Sequence, residues 1–159
     1  MMKRAKQVNI FTNKLALNEE VYDTNTPEII QFHEFIRDFA IPRRWKPFRT
    51  EWSIFEEESQ VAGQIDCVFK TDDKEEYHMV DWKRTEKDLT SSAGARFNRY
   101  GIGPCQGILD NNFNKYMVQQ NLYSCILSKR YGIELSSMWL VQIHPRRNGY
   151  TCMPVPRER

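Results

Sequence analysis

Residues 50–84 read TEWSIFEEESQVAGQIDCVFKTDDKEEYHMVDWKR. Three stretches, 50–56, 61–70 and 76–84, are rich in β-branched and aromatic residues. Between them lie Glu57-Glu58-Ser59-Gln60 and Thr71-Asp72-Asp73-Lys74-Glu75. Short polar turns between such stretches predict three strands in an antiparallel meander. Upstream, Thr26-Pro27-Glu28 predicts a helix start, with Thr26 as N-cap, proline in the first turn and an acid at the positive end of the dipole. That helix is expected over 26–40, with Ile29, Ile30, Phe32, Phe35, Ile36 and Phe39 as its apolar stripe and Pro42 as its stop. Downstream, a second helix is expected over 112–131, closed by Gly132, and a last strand over 137–144, stopped by Pro145. The order helix, three strands, helix, strand predicts one α/β domain over 26–159, preceded by a basic arm over 1–25.

Composition agrees with one folded domain. The chain has 159 residues, 40% hydrophobic and 28% charged, with 13% aromatic, enough to build one dense core and too few residues for two. Apolar runs are short, which excludes a membrane-spanning helix and a membrane partner. Lysine and arginine exceed aspartate and glutamate by 23 to 21, so net charge alone does not argue for a polyanionic partner. Cys67, Cys105, Cys125 and Cys152 form no CxxC pair, so no iron–sulfur cluster or zinc site is expected. With no secretory signal, free thiols in a reducing, intracellular compartment are the expectation. Lys3, Arg4, Lys6 and Lys14 make the start of the chain basic, but a transit peptide would be richer in arginine and serine, so organelle targeting is not expected.

Chemistry concentrates in two strands. Side chains alternate along a strand, so Asp81 and Lys83 share a face and Trp82 takes the other. Asp66 lies on the preceding strand, so two carboxylates and an ammonium can meet. Paired carboxylates suit Mg²⁺ or Mn²⁺. Such a cation activates water and offsets phosphodiester charge, and a neighbouring lysine can orient that water and stabilise the transition state. A D-x-K triplet is also what a surface salt bridge looks like. On the second helix Gln119 and Tyr123 stand at i and i+4, on one face. Gln119 can reach phosphate or a cation-bound water, and Tyr123 can bond phosphate, stack on a base or belong to the core.

G-x-x-D at Gly63–Asp66, a strand ending Val80-Asp81-Trp82-Lys83, and Q-x-x-x-Y from Gln119 to Tyr123 together resemble the PD-(D/E)xK nuclease superfamily, RecB-like branch. Within it, Cys67-Val68 after the first motif and Arg84-Thr85-Glu86-Lys87 after the second are similar to the mitochondrial genome maintenance exonucleases. The resemblance spans residues 26–145. It implies a restriction-endonuclease-like α-β-β-β-α-β core, a mixed central sheet flanked by helices. It implies Asp66 and Asp81 as ligands of Mg²⁺ or Mn²⁺, Lys83 as the catalytic lysine, and DNA-end processing in repair, recombination or replication. A helix histidine often adds a ligand in this branch. His33 and Glu34 compete for it, and His33, flanking the apolar stripe, is favoured. Glu51 is the candidate acid on the first strand.

Nucleic-acid contacts are expected from Arg43, Arg44, Lys46 and Arg49, interleaved with Trp45 and Phe48 in a loop over 42–49. Arg84 follows the catalytic lysine. Arg96 and Arg99, with Phe97 and Tyr100, lie in the glycine-containing segment 85–111, too long for a simple connector and read as a functional loop. The acids at 56–58 and 72–76 are expected to leave the molecule polarised. Two other readings use the same residues: an RNA endonuclease of the cap-snatching kind, and a catalytically silent nucleic-acid-binding module.

Overall fold

The computed structural model describes residues 25–89 and 99–157. Helix α1 (Pro27–Phe35) is followed by a π-helical turn (Ile36–Ala40) and a 3₁₀ turn (Ile41–Arg43). Strands β1 (Trp45–Glu56), β2 (Val61–Thr71) and β3 (Tyr77–Arg84) come next, then helix α2 (Asn112–Tyr131), β4 (Leu135–Ile143) and β5 (Thr151–Pro154). The sheet runs β1-β2-β3-β4-β5. Its pairs are antiparallel except β3 with β4, which are parallel and joined across α2. The described residues are thus mixed α/β, a five-stranded mixed sheet with two helices. Among the described residues no helix is long and apolar enough to cross a membrane. The basic arm expected over 1–25 lies, but for Asn25, outside the described residues.

The sheet separates two cores. Under α2, Ile54, Ile65, Met79 and Leu140 pack with Phe113, Met117, Tyr123, Ile126 and Leu127. Under α1, Cys67, Phe69, Val80, Val141 and Ile143 pack with Phe32 and Phe35. Gln31 ties α1 to the end of β4: its amide nitrogen donates to the carbonyls of His144 and Arg147, and its oxygen accepts from the His144 amide.

Four expectations are corrected here. The first helix is α-helical only to Phe35 and continues as the π turn, so its phase changes where the stripe was extrapolated. Thr26 occupies the N-cap position without a side-chain cap; its carbonyl accepts from the amides of Ile29 and Ile30. The expected loop over 42–49 is strand from Trp45 onward. Trp45 is buried, stacked on His78 with centroids 4.2 Å apart, and so anchors β1 in the core rather than offering a ring to a base. β5 was not foreseen: a short proline-ended stretch carries little periodicity, and its backbone bonds to β4 hold it.

Nearby bases pair with the acidic turns. Arg44 pairs with Asp73 at 2.8 Å, Lys46 with Asp72 at 3.0 Å, Arg130 with Glu57 at 3.3 Å and Lys129 with Glu58 at 2.6 Å.

Glu56 closes the β1–β2 turn. Its carboxylate accepts from the Ser59 hydroxyl, the Ser59 amide at 2.8 Å and the Glu58 amide at 3.2 Å. The Ser59 bonds, then Glu58 and Lys129, pull its pKa from the ordinary 4.5 to about 2. The unfolded chain therefore binds the extra proton inside that window, and stability rises with pH across it. The Glu56 contribution is complete above about 4.5 and fades as the pH falls toward about 2. Chemical-denaturation midpoints of Glu56→Gln and the parent should differ most near neutrality and converge through that window. A constant difference at every pH would show that the carboxylate charge is not what holds the turn.

Candidate active site

Asp81 and Lys83 sit on the α2 side of β3, because Met79 enters the α2 core while Val80 and Trp82 enter the α1 core. Lys83 Nζ is 2.5 Å from Asp81 Oδ2. That buried oxygen is therefore held by the ammonium. Lys83 Nζ also lies over the Tyr116 ring of α2, 4.3 Å from its centroid.

Asp66 reaches the same place through strand register: Cys67 pairs with Val80, so Asp66 stands opposite Asp81 on the face that Val68 and Met79 share. Ile65 faces the α2 core, yet Cys67, two residues on, faces the α1 core. Opposite this point, between the pairs Thr50↔Cys67 and Trp52↔Ile65, Glu51 takes φ 46°. That left-handed conformation is costly for a residue with a side chain and marks a local irregularity of both strands. Asp66 and Asp81 are within hydrogen-bonding reach of each other. The Trp82 amide donates to Asp66 Oδ2 at 2.9 Å, just where β3 leaves its pairing with β2.

The charges are tightly coupled. Burial pushes the Asp81 carboxyl above its ordinary range, and Lys83 and then Asp66 pull it back. Burial opposes the charge on Lys83, but Asp81, Asp66 and Tyr116 outweigh it and hold the ammonium above its ordinary pKa. Lys83 is therefore cationic at neutral pH.

The helix motif packs against the strand motif. A methyl group at Gly63 would stand 2.2 Å from Tyr123 Cε1 and 2.6 Å from its hydroxyl oxygen, so only glycine admits this ring. The Gln119 amide donates to that hydroxyl at 3.1 Å. Tyr123 is 9% exposed, so the stacking on a base expected of it is corrected: the ring is spent on Gly63 and the core. Gln119 remains half-buried beside it.

Other expected residues fall elsewhere. Among the described residues no three His, Cys, Asp or Glu side chains gather as a metal-holding set. His33 packs edge-on to Phe32 with centroids 6.0 Å apart, and burial lowers its pKa. The face of α1 that meets the sheet carries Glu28, Gln31, Phe32 and Phe35, while Ile30 is exposed; two partnered polar residues shift the buried face away from His33. Arg84 does not extend toward substrate: its guanidinium is 2.7 Å from buried Glu28 of α1, on the far side of the sheet. Arg49 is exposed, its guanidinium 5.4 Å from the Phe48 centroid. Arg99 is exposed, and Arg96 lies outside the described residues.

Two residues at the site were not assigned from sequence. Tyr116 stands three before Gln119 and seven before Tyr123, a helical spacing that could have flagged it. Gln142, buried on β4 and in register with Lys83, donates to the carbonyls of Thr85 and Lys87, both at 2.7 Å, and so fixes the chain leaving β3. Its partner across a parallel pair carries no sequence signal.

Asp66 and Asp81 fit a hard divalent cation: two adjoining carboxylates repel each other unless a proton or a cation lies between them. Mg²⁺ takes one or two protein carboxylates and fills its other positions with water and substrate oxygens. Compared with known proteins, the chain matches no protein-family model and no curated protein.

Proposed function

We propose that this chain is a metal-dependent nuclease of the PD-(D/E)xK superfamily, RecB-like branch, hydrolysing phosphodiester bonds in DNA and acting on single-stranded or processed ends. The observation that carries the reading is the convergence of Asp66, Asp81 and Lys83 on one face of β2 and β3. Its support is the packing of Tyr123, on the Q-x-x-x-Y face of α2, onto Gly63, the first residue of G-x-x-D.

Asp66 and Asp81 would hold Mg²⁺ or Mn²⁺, whose Lewis-acid chemistry offsets charge building on the phosphoryl group. Lys83 brings a fixed positive charge to the same face, where it stabilises the developing oxyanion. The Trp82 amide holds the Asp66 carboxylate in orientation. Gln119 offers an amide toward a backbone phosphate. Exposed Arg49 and Arg99 supply sequence-independent phosphate attraction, which weakens with salt.

Labelled single-stranded, duplex and flap DNA and RNA should be incubated with Mg²⁺, Mn²⁺ or EDTA. Cleavage of DNA with either cation, abolished by EDTA and restored by Mn²⁺, is the expected result. Full cleavage in excess chelator would overturn the reading. Cleavage of RNA alone would move it to the RNA-endonuclease class, and binding without cleavage to a silent module.

A further inference from the structure

We infer that Tyr116 is a positioning residue, a second seat that keeps the Lys83 ammonium in the site when a divalent cation takes Asp81. This rests on the nuclease reading above. Lys83 Nζ has two partners: Asp81 Oδ2 at 2.5 Å and the face of Tyr116, 4.3 Å from its centroid. The Lys83 side chain is only 19% exposed, so water does little to solvate its charge. A cation drawn to Asp81 Oδ2 competes with the ammonium for that oxygen and repels it.

Neighbouring groups offer poor alternatives: Asp66, which also attracts the ammonium, would itself be taken by the cation. The Gln142 amide nitrogen, in register with Lys83, is committed to Thr85 and Lys87 and is itself a donor. Glu28 is committed to Arg84 on the other side of the sheet. The Tyr116 ring accepts the displaced charge on its negative π face without needing to move a backbone. It sits in the first half of α2, anchored by neighbouring Met117 and Phe113 in the core. Its rigidity is what lets Lys83 remain aimed at the face it shares with Asp81.

The test compares the parent with Tyr116→Phe, which keeps the π face, and Tyr116→Leu, which removes it. Lys83 is followed by ¹³C-resolved NMR of its ε-methylene group during Mg²⁺ titration, and cleavage rates are measured at saturating Mn²⁺. In the parent and Tyr116→Phe the ε-methylene protons should stay shifted upfield by the ring as Mg²⁺ saturates. In Tyr116→Leu that shift should vanish and cleavage slow about 10-fold, within the range of a desolvated cation–π contact. Mg²⁺ affinity in Tyr116→Leu should stay within about 2-fold of the parent, because Asp66 and Asp81 are untouched.

Loss of the upfield shift in the parent on adding Mg²⁺ overturns the proposal. So does a parental rate in Tyr116→Leu, or a defect in Tyr116→Phe equal to that in Tyr116→Leu. If the parent neither cleaves nucleic acid nor responds to Mg²⁺ at Asp81, the nuclease reading itself fails and the proposal falls with it. If it does both while the Tyr116 variants show no difference, only the proposal fails.

Discussion

Replacing Lys83 by alanine should slow phosphodiester cleavage by on the order of 100-fold or more, the usual loss for one preorganised electrostatic contact. The ammonium is most useful where negative charge develops, so its removal should lower kcat more than it raises KM. Lys83→Met, which keeps the aliphatic stem, should show the same loss. Lys83→Arg should not restore the rate, because a planar guanidinium is larger and cannot place its charge where the compact ammonium sits. Both neutral variants leave Asp81 buried without its ionic partner, 2.5 Å away in the parent. They should therefore gain more thermal stability from added Mg²⁺ than the parent does, since a ligand that binds only the folded state stabilises it by mass action. Asp81→Ala should lose both the rate and that Mg²⁺ response. A parental rate in Lys83→Ala would make the Asp81–Lys83 pair an ordinary salt bridge, and the nuclease reading would fall with it.

Gly63→Ala should destabilise the fold by about 1–3 kcal/mol, the usual cost of forcing a methyl group into a filled core. The new methyl would lie 2.4 Å from Tyr123 Cζ, so the ring and helix α2 must give way. Because α2 also carries Tyr116 against Lys83, the same displacement should slow cleavage in the fraction that folds. Tyr123→Leu on its own should also destabilise, by leaving a cavity. The two substitutions together should cost less than their sum, because each relieves the defect of the other. Urea denaturation of the parent, both single variants and the double variant measures this coupling. A Gly63→Ala midpoint equal to the parent's would show that the ring can swing aside, and that the two motifs do not depend on each other for packing.

The sequence by itself determined the element order and the chemistry of the site. Polar turns of four and five residues could only join strands, and helix 112–131 ended where Gly132 takes φ 65°, since these are local effects of backbone sterics. Period-2 alternation was enough to place Asp81 and Lys83 on one face. Only the tertiary structure decided which residues met them. The pairing of Cys67 with Val80 sets Asp66 opposite Asp81, and no local pattern encodes the register between two strands. Periodicity scores hydrophobicity alone and so gave Glu28 and Gln31 no place in the buried face. Burial of a polar group depends on a partner, and theirs are Arg84 and the chain after β4, distant in sequence. Their burial set the phase of α1. Trp45 and Tyr123 were likewise drawn inward by Phe69, His78 and Gly63, contacts that exist only once the strands and helix α2 have assembled.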